Sequence, residues 1–265
     1  MKTLLTALAL AVGSAQTAGA GQRVVLFGGG EFPPKAVDRF MEAAGGEKAR
    51  LLMVTWASGA PREEVEEFKD YMAPWKPASL EVAPSTRTIH ARRKEFLRML
   101  DRATGVFFTG GDQVRITAVL DREKGFREAL KKRYREGVVF GGSSAGTAVM
   151  SEVMITGEGN FEVIDGSTVE VRQGLGLLPP EVIVDQHFIL RQRENRLFGL
   201  VLKHPGSVGL GVDEPCALVV DDGRFAQAFG PTYVMTVEPR EPAPSLFIGL
   251  LGDGARYDIK ERRRL

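Results

Sequence analysis

Apolar residues fall along this chain in short unbroken runs rather than in strict alternation. Runs at 23–27, 50–55, 104–109 and 138–140, with a shorter one at 79–82, predict strands. An unbroken apolar strand is one covered on both faces, which is the pattern of a parallel sheet. Between these runs, apolar positions recur at helical spacing over 34–44, 63–72 (introduced by Pro61) and 95–100. Strands alternating with helices predict an α/β fold, a doubly wound, mostly parallel sheet with helices on both faces. Loops that follow the strands of such a sheet gather at its C-terminal edge, where ligands bind. The loops at Gly28, Gly110 and Ser144 all follow strands and are therefore expected on one rim.

Beyond residue 150 the pattern changes. Residues 155–173 are polar and glycine-containing and predict a β-hairpin region. A strand at 181–185 leads into Gln186-His187-Phe188 and a helix carrying Arg191, Arg193 and Arg196. The strand at 209–214 has glycine on alternate positions, and 217–220, 225–229 and 232–237 read as strands joined by turns such as Asp222-Gly223. No repeat or linker interrupts the chain, so 21–265 reads as one domain.

The first twenty residues stand apart. Lys2 precedes an apolar run at 4–12, and small residues end in Ala18-Gly19-Ala20, the pattern of a secretory signal peptide cut after Ala20. Removing 1–20 takes away one lysine and no acid, leaving 34 basic and 34 acidic residues. A balanced charge argues against a nucleic-acid partner, and no later run is long enough for a membrane span. The expected location is secreted or periplasmic, with no membrane attachment after cleavage. Cys216 is the only cysteine, which leaves no internal disulfide. Nothing in the sequence sets the oligomeric state, and a homodimer stays open.

The candidate chemistry centres on Gly141-Gly142-Ser143-Ser144-Ala145-Gly146, between the strand at 138–140 and a helical pattern. A strand running into a helix through glycine, serine and alanine is the setting of a nucleophile elbow, which holds a serine hydroxyl out of the chain. It is equally the composition of a plain glycine-rich turn. A nucleophilic Ser144 needs a base. Of the three histidines, His90 lies in a polar connection and His204 at a helix C-terminus, whereas His187 follows an apolar strand at the expected rim. Asp213 and Glu214, ending the next strand, are both candidates for the carboxylate that fixes the tautomer of His187. Backbone N–H groups of Ala145 and of Gly110 or Gly111 could hold an oxyanion. Gln113, Asp185 and Gln186 would stand at the rim as specificity groups, and Arg191, Arg193 and Arg196 suggest recognition of substrate carboxylates. Gly28-Gly29-Gly30-Glu31 lacks both the dinucleotide spacing and the phosphate-loop lysine, so it reads as a closely packed turn. No metal or organic cofactor is expected.

Four blocks, Phe-Phe-Thr-Gly-Gly-Asp-Gln at 107–113, Gly-Gly-Ser-Ser-Ala-Gly-Thr-Ala-Val-Met at 141–150, Asp-Gln-His-Phe-Ile-Leu-Arg-Gln-Arg-Glu-Asn-Arg-Leu at 185–197 and Gly-Leu-Gly-Val-Asp-Glu at 209–214, together resemble the cyanophycinases. These belong to the serine peptidase family that also holds the aspartyl dipeptidases, with a fold similar to class I glutamine amidotransferases. The resemblance implies Ser144 as nucleophile, His187 as base and Glu214 as acid. It also implies substrate binding by Gln113, Asp185, Gln186, Arg191, Arg193 and Arg196, with Asp185 facing a guanidinium and the arginines a free carboxylate. The implied substrate is cyanophycin, a poly-aspartate with arginine on each side-chain carboxylate, released as β-aspartyl-arginine dipeptides. Other aspartyl or small arginine-containing peptides are the alternative, and a catalytically silent binding protein of the same fold is another. Ser143 and Thr147 depart from the threonine and alanine expected at those two places.

Overall fold

The computed structural model describes residues 21–265; the expected signal peptide lies outside the described residues. The chain opens with β1 (Arg23–Phe27), α1 (Pro34–Ala44), β2 (Arg50–Val54), α2 (Pro61–Met72), β3 (Ser79–Val82), α3 (Arg93–Arg102) and β4 (Gly105–Phe108). It continues through α4 (Gln113–Arg122), α5 (Phe126–Arg135), β5 (Val139–Ser143), the short α6 (Ala145–Ala148), β6 (Val153–Gly159) and β7 (Val169–Gln173). Then come β8 (Val182–Gln186), α7 (Glu194–Lys203), β9 (Val208–Val212), β10 (Ala217–Asp221), β11 (Phe225–Phe229) and β12 (Val234–Arg240). Three strands close the chain: β13 (Ser245–Leu251), β14 (Arg256–Asp258) and β15 (Arg263–Arg264).

The main sheet has nine strands in the order β15-β14-β11-β10-β1-β5-β4-β2-β3. Neighbours from β1 to β3 pair in parallel, as the unbroken apolar runs predict, while β10, β11, β14 and β15 extend it antiparallel. The helices form where the apolar stripe is one-sided. In α1, Pro34 starts the helix, Ala36, Val37, Phe40, Met41 and Ala44 are buried, and Gly45 ends it at φ 106°. Phe40 and Phe107 fill space left by glycines, since a Cβ on Gly141 would come within 3.1 Å of the Phe40 ring and 2.9 Å of the Phe107 ring. Apolar cores lie on both faces of the sheet.

The second half departs from the expected single sheet. Strands β8 and β9 pair in parallel with each other in a separate four-stranded sheet, ordered β13-β12-β9-β8, and β6 pairs with β7 as a hairpin. The alternate glycines of β9 have a packing cause. A Cβ on Gly211 would overlap the Phe188 ring, and one on Gly209 would press on Leu197 of α7. Phe188 and Leu197 anchor a third core beneath this sheet. The two sheets meet at the loop after β1, where Gly28 accepts a hydrogen bond from the His187 N–H (3.0 Å) and donates one to the Cys216 carbonyl (2.9 Å). Among the described residues no helix is long and apolar enough to cross a membrane.

Phe40 is fully buried and edge-on to Phe107. Replacing it with alanine is expected to cost about 3–5 kcal/mol of unfolding free energy, because the sheet glycines around it cannot fill the cavity. Urea denaturation measures this, and a loss below about 1 kcal/mol would show that the ring is not the keystone of that face.

Candidate active site

The turn between β5 and α6 holds Ser144 at φ 54° and ψ −113°, a backbone conformation that non-glycine residues rarely adopt. Small neighbours make it possible. A Cβ on Gly142 would overlap the Gly146 carbonyl, and one on Gly146 would overlap the Phe108 carbonyl. The Ser144 N–H is tied to the Phe27 carbonyl at 3.1 Å. Thr147 Oγ1 lies 2.7 Å from that same carbonyl and 2.6 Å from the Gly142 carbonyl, bracing the elbow against β1. Here the departure from alanine has a structural use. The helix that follows is only four residues long, so the anion-binding capacity of this turn rests on single N–H groups rather than on a helix dipole.

His187 follows β8 directly, at φ 50°. Its Nε2 lies 2.7 Å from Ser144 Oγ, and its Nδ1 is hydrogen-bonded to the Glu214 carboxylate. The parallel pairing of β8 and β9, ending at Gln186 and Val212, brings together the two turns that carry these side chains. Asp213, the other candidate acid, is turned away and buried, accepting the N–H groups of Ile189 and Leu190 at 3.0 and 2.9 Å. Gly29 is the floor beneath the imidazole: at φ 132°, a Cβ there would overlap the ring. The turn at Gly28-Gly29-Gly30 thus serves close packing, with His187 as the group packed.

Burial pushes the His187 imidazole below its ordinary value, and the charges of Arg191 and Arg193 act in the same direction. The hydrogen bond and charge of Glu214 oppose them without winning. The ring is therefore neutral at pH 7. With Glu214 accepting at Nδ1, the free lone pair sits on Nε2, facing the serine hydroxyl. This arrangement can take a proton from Ser144 as its oxygen attacks a carbonyl.

The residues expected to bind substrate divide into two groups. Arg191 is half-exposed, with its Nε 3.6 Å from Glu214. Arg193 donates to both the backbone and side-chain oxygens of Gln186 at 2.9 Å, and that side-chain oxygen lies 3.5 Å from Ser144 Oγ. Burial and the nearby Arg196 charge lower the Arg193 pKa to about 10, so it keeps its charge at neutral pH. The other three are engaged elsewhere. The Gln113 amide nitrogen donates to the carbonyls of Ile155 and Thr156 on β6. Asp185 and Arg196 form a buried bidentate ion pair with each other, and the Arg196 guanidinium also covers the Phe161 ring at 4.9 Å. Asp185 and Arg196 are each 1% exposed, and both carboxylate oxygens of Asp185 are taken by Arg196. For the oxyanion, Ala145 follows the serine at the elbow. Gly111, at φ 126°, is pressed against the backbone of Ala57 and Ser58.

A cavity of about 560 Å³ opens over Ser144 and His187. Its walls include Glu31 and Phe32 after β1, Glu64, Glu67 and Tyr71 on α2, and Phe107 on β4. Sequence reasoning missed these residues. The acids of α2 look like a solvated helix face, and α2 is some eighty positions from the serine in the chain.

Residues 24–228 match the model of peptidase family S51. A cyanophycinase from Synechococcus elongatus is 36% identical over 204 residues, covering 76% of this chain. That alignment spans 62% of the relative, so the chain accounts for less than two thirds of its length. A cyanophycinase from Geminocystis herdmanii is 30% identical over 256 residues, covering 89% of this chain and 93% of its own. The fold is similar to the crystal structure of a peptidase from an acI-B1 actinobacterium, with a TM-score of 0.69 at 19% identity, covering 91% of this chain and 98% of that one.

The Asp185–Arg196 pair predicts a sharp asymmetry in stability. Arg196→Met strands a carboxylate that is 1% exposed, at an expected cost of about 3–5 kcal/mol. Adding Asp185→Leu is expected to recover much of that loss in urea denaturation. A single variant as stable as the parent would contradict the pairing.

Proposed function

The chain belongs to peptidase family S51, and from that premise we propose that it is a serine-type peptidase with Ser144, His187 and Glu214 as its catalytic residues. The observation that carries this reading is the unbroken contact from the Glu214 carboxylate through the His187 ring to the Ser144 hydroxyl, at the base of an open cavity. Ser144 Oγ attacks the scissile carbonyl while His187 Nε2 accepts its proton. Glu214 keeps the ring in the tautomer with the proton on Nδ1 and stabilises the imidazolium that forms. The tetrahedral oxyanion is taken by backbone N–H groups, Ala145 and Gly111 being the proposed donors. His187 then returns the proton to the leaving amine, and water releases the acyl group by the same path in reverse.

The proposed substrate is cyanophycin, cut at the peptide bonds of its poly-aspartate backbone to give β-aspartyl-arginine, whose isopeptide bond stays intact. Identities of 30–36% to proteins named cyanophycinase support this. Arg191, half-exposed beside the triad, is the proposed partner for a free substrate carboxylate, and Arg193 holds Gln186 against the nucleophile. We place the protein outside the cytoplasm, on the leader-like pattern of residues 1–20, where it would act on external polymer.

Incubation with insoluble cyanophycin is expected to release β-aspartyl-arginine, detected by mass spectrometry. Ser144→Ala is expected to lower kcat by about 10⁴-fold or more with the fold intact. A Ser144→Ala variant that keeps parental activity would remove the serine mechanism. Release of aspartyl dipeptide products from other peptides, with cyanophycin untouched, would move the substrate while leaving the mechanism.

A further inference from the structure

The loop after β1 is not the one place where the two sheets meet. A second meeting runs through the segment that follows the nucleophile. Thr147 and Ser151 stand three and seven residues after Ser144, and both are wholly buried. The Thr147 hydroxyl has one proton and two carbonyls within reach, that of Phe27 on β1 and that of Gly142 on β5. It therefore ties the strand that leads into the elbow to the strand beside it. Four residues on, Ser151 Oγ accepts the Val184 N–H at 3.0 Å. Val184 lies on β8, the edge strand of the four-stranded sheet. An N–H on the outer side of an edge needs a partner other than a strand, and leaving it unpaired in the interior is costly. Here the partner is a side chain from the segment that carries the nucleophile. That segment is itself pinned. The Ser151 carbonyl accepts the Gly176 N–H at 3.2 Å, and a Cβ on Gly174 would overlap the same carbonyl.

We propose that Thr147 and Ser151 are positioning residues, a clasp of two hydroxyls that sets the turn of Ser144 against β1 on one side and against β8, the strand that carries His187, on the other. The proposal rests on the reading of Ser144 and His187 as the reacting pair. Neither hydroxyl can touch a substrate, because both residues are 0% exposed, so each acts through another residue. Thr147 acts through Ser144. The serine is held at φ 54°, a conformation that persists only where its surroundings impose it. The Phe27 carbonyl receives both the Ser144 N–H at 3.1 Å and the Thr147 hydroxyl at 2.7 Å, so the turn closes onto one acceptor from both its ends. Ser151 acts through His187. Val184 lies three residues before the histidine on a continuous strand that ends at Gln186, so a shift at Val184 is carried to the imidazole. The distance at stake is the 2.7 Å from His187 Nε2 to Ser144 Oγ. A misplacement of about 1 Å between reacting groups can cost about 100-fold in rate, and partial loosening of one tie is expected to cost about 10-fold.

Two readouts test the clasp: the rate at which a fluorophosphonate labels Ser144, and amide hydrogen exchange followed by mass spectrometry. Thr147→Val keeps the side-chain volume and loses the hydroxyl, whereas Thr147→Ser keeps the hydroxyl and loses a methyl. Thr147→Val is expected to lower the maximal labelling rate by about 10-fold, with the half-saturating reagent concentration changed by less than about twofold. Thr147→Ser is expected to recover the rate to within about threefold of the parent, although it leaves the larger void. A packing role gives the reverse order, with Thr147→Ser slower than Thr147→Val, and that order would overturn the proposal. Ser151→Ala is expected to lower the maximal labelling rate by about 10-fold and to speed exchange in the segment 182–187 by at least about 10-fold, with β4 unchanged. Unchanged exchange at 182–187 overturns the tie to β8. Faster exchange there with labelling at the parental rate overturns the positioning role and leaves the serine mechanism standing. A parent protein that is neither labelled nor active, in which Ser151→Ala still speeds exchange at 182–187, supports the tie and refutes the peptidase reading.

Discussion

The site depends on a seam between two sheets, closed by the hydrogen bond from the His187 N–H to the Gly28 carbonyl. Ser144 belongs to the nine-stranded sheet, through β5, whereas His187 and Glu214 follow strands of the four-stranded one. Nothing in either sheet alone brings a base to the serine. The glycine turn after β1 does so, by offering its carbonyl to the His187 backbone and a surface without a Cβ to the His187 ring. The same turn donates to Cys216, two residues past Glu214, so one loop positions all three side chains. Local strain at Ser144 is borne here because β1 grips the elbow twice, through the Ser144 N–H and the Thr147 hydroxyl.

Charge is partitioned around this seam. On the β8 side stand Arg191 and Arg193, which with burial keep His187 neutral. On the α2 side stand Glu64 and Glu67, joined by Glu31 from the loop after β1. The ion pair of Asp185 with Arg196 belongs to neither wall. It is sealed beneath the arginine segment and fixes the end of β8 from which His187 departs.

Much of this was readable from residue pattern, and the failures have physical causes. Unbroken apolar runs identify β1, β2, β4 and β5 as parallel and doubly covered, because only that burial tolerates them. The elbow is only half readable: small residues at Gly142, Ala145 and Gly146 mark a tight turn, but a plain glycine-rich turn has the same composition. The second sheet is not readable, since β8 and β9 are as apolar as the strands of the first and an apolar run does not name its partner. Asp213 and Glu214 cannot be told apart in sequence, because alternation along a strand does not say how the chain turns after its last residue. The place of Glu64 and Glu67 on the cavity wall is hidden for another reason. A row of acids in the first turns of a helix is ordinary solvated surface, and only the packing of α2 across the loop after β1 sets Glu64 and the exposed Glu67 along the cavity wall.

We propose that a neutral His187, held by Glu214, activates Ser144. The most direct measurement is the rate at which a fluorophosphonate reagent labels the protein as a function of pH, with the modified residue located by mass spectrometry. A single adduct on Ser144 is expected, with a pH profile whose acid limb has its midpoint below about 6.5, the ordinary histidine value, because burial and the neighbouring arginines depress the imidazole. Labelling should still be near its plateau at neutral pH and should collapse in His187→Gln. An adduct on another residue, an acid limb centred above the ordinary histidine value, or equal labelling of His187→Gln would contradict it.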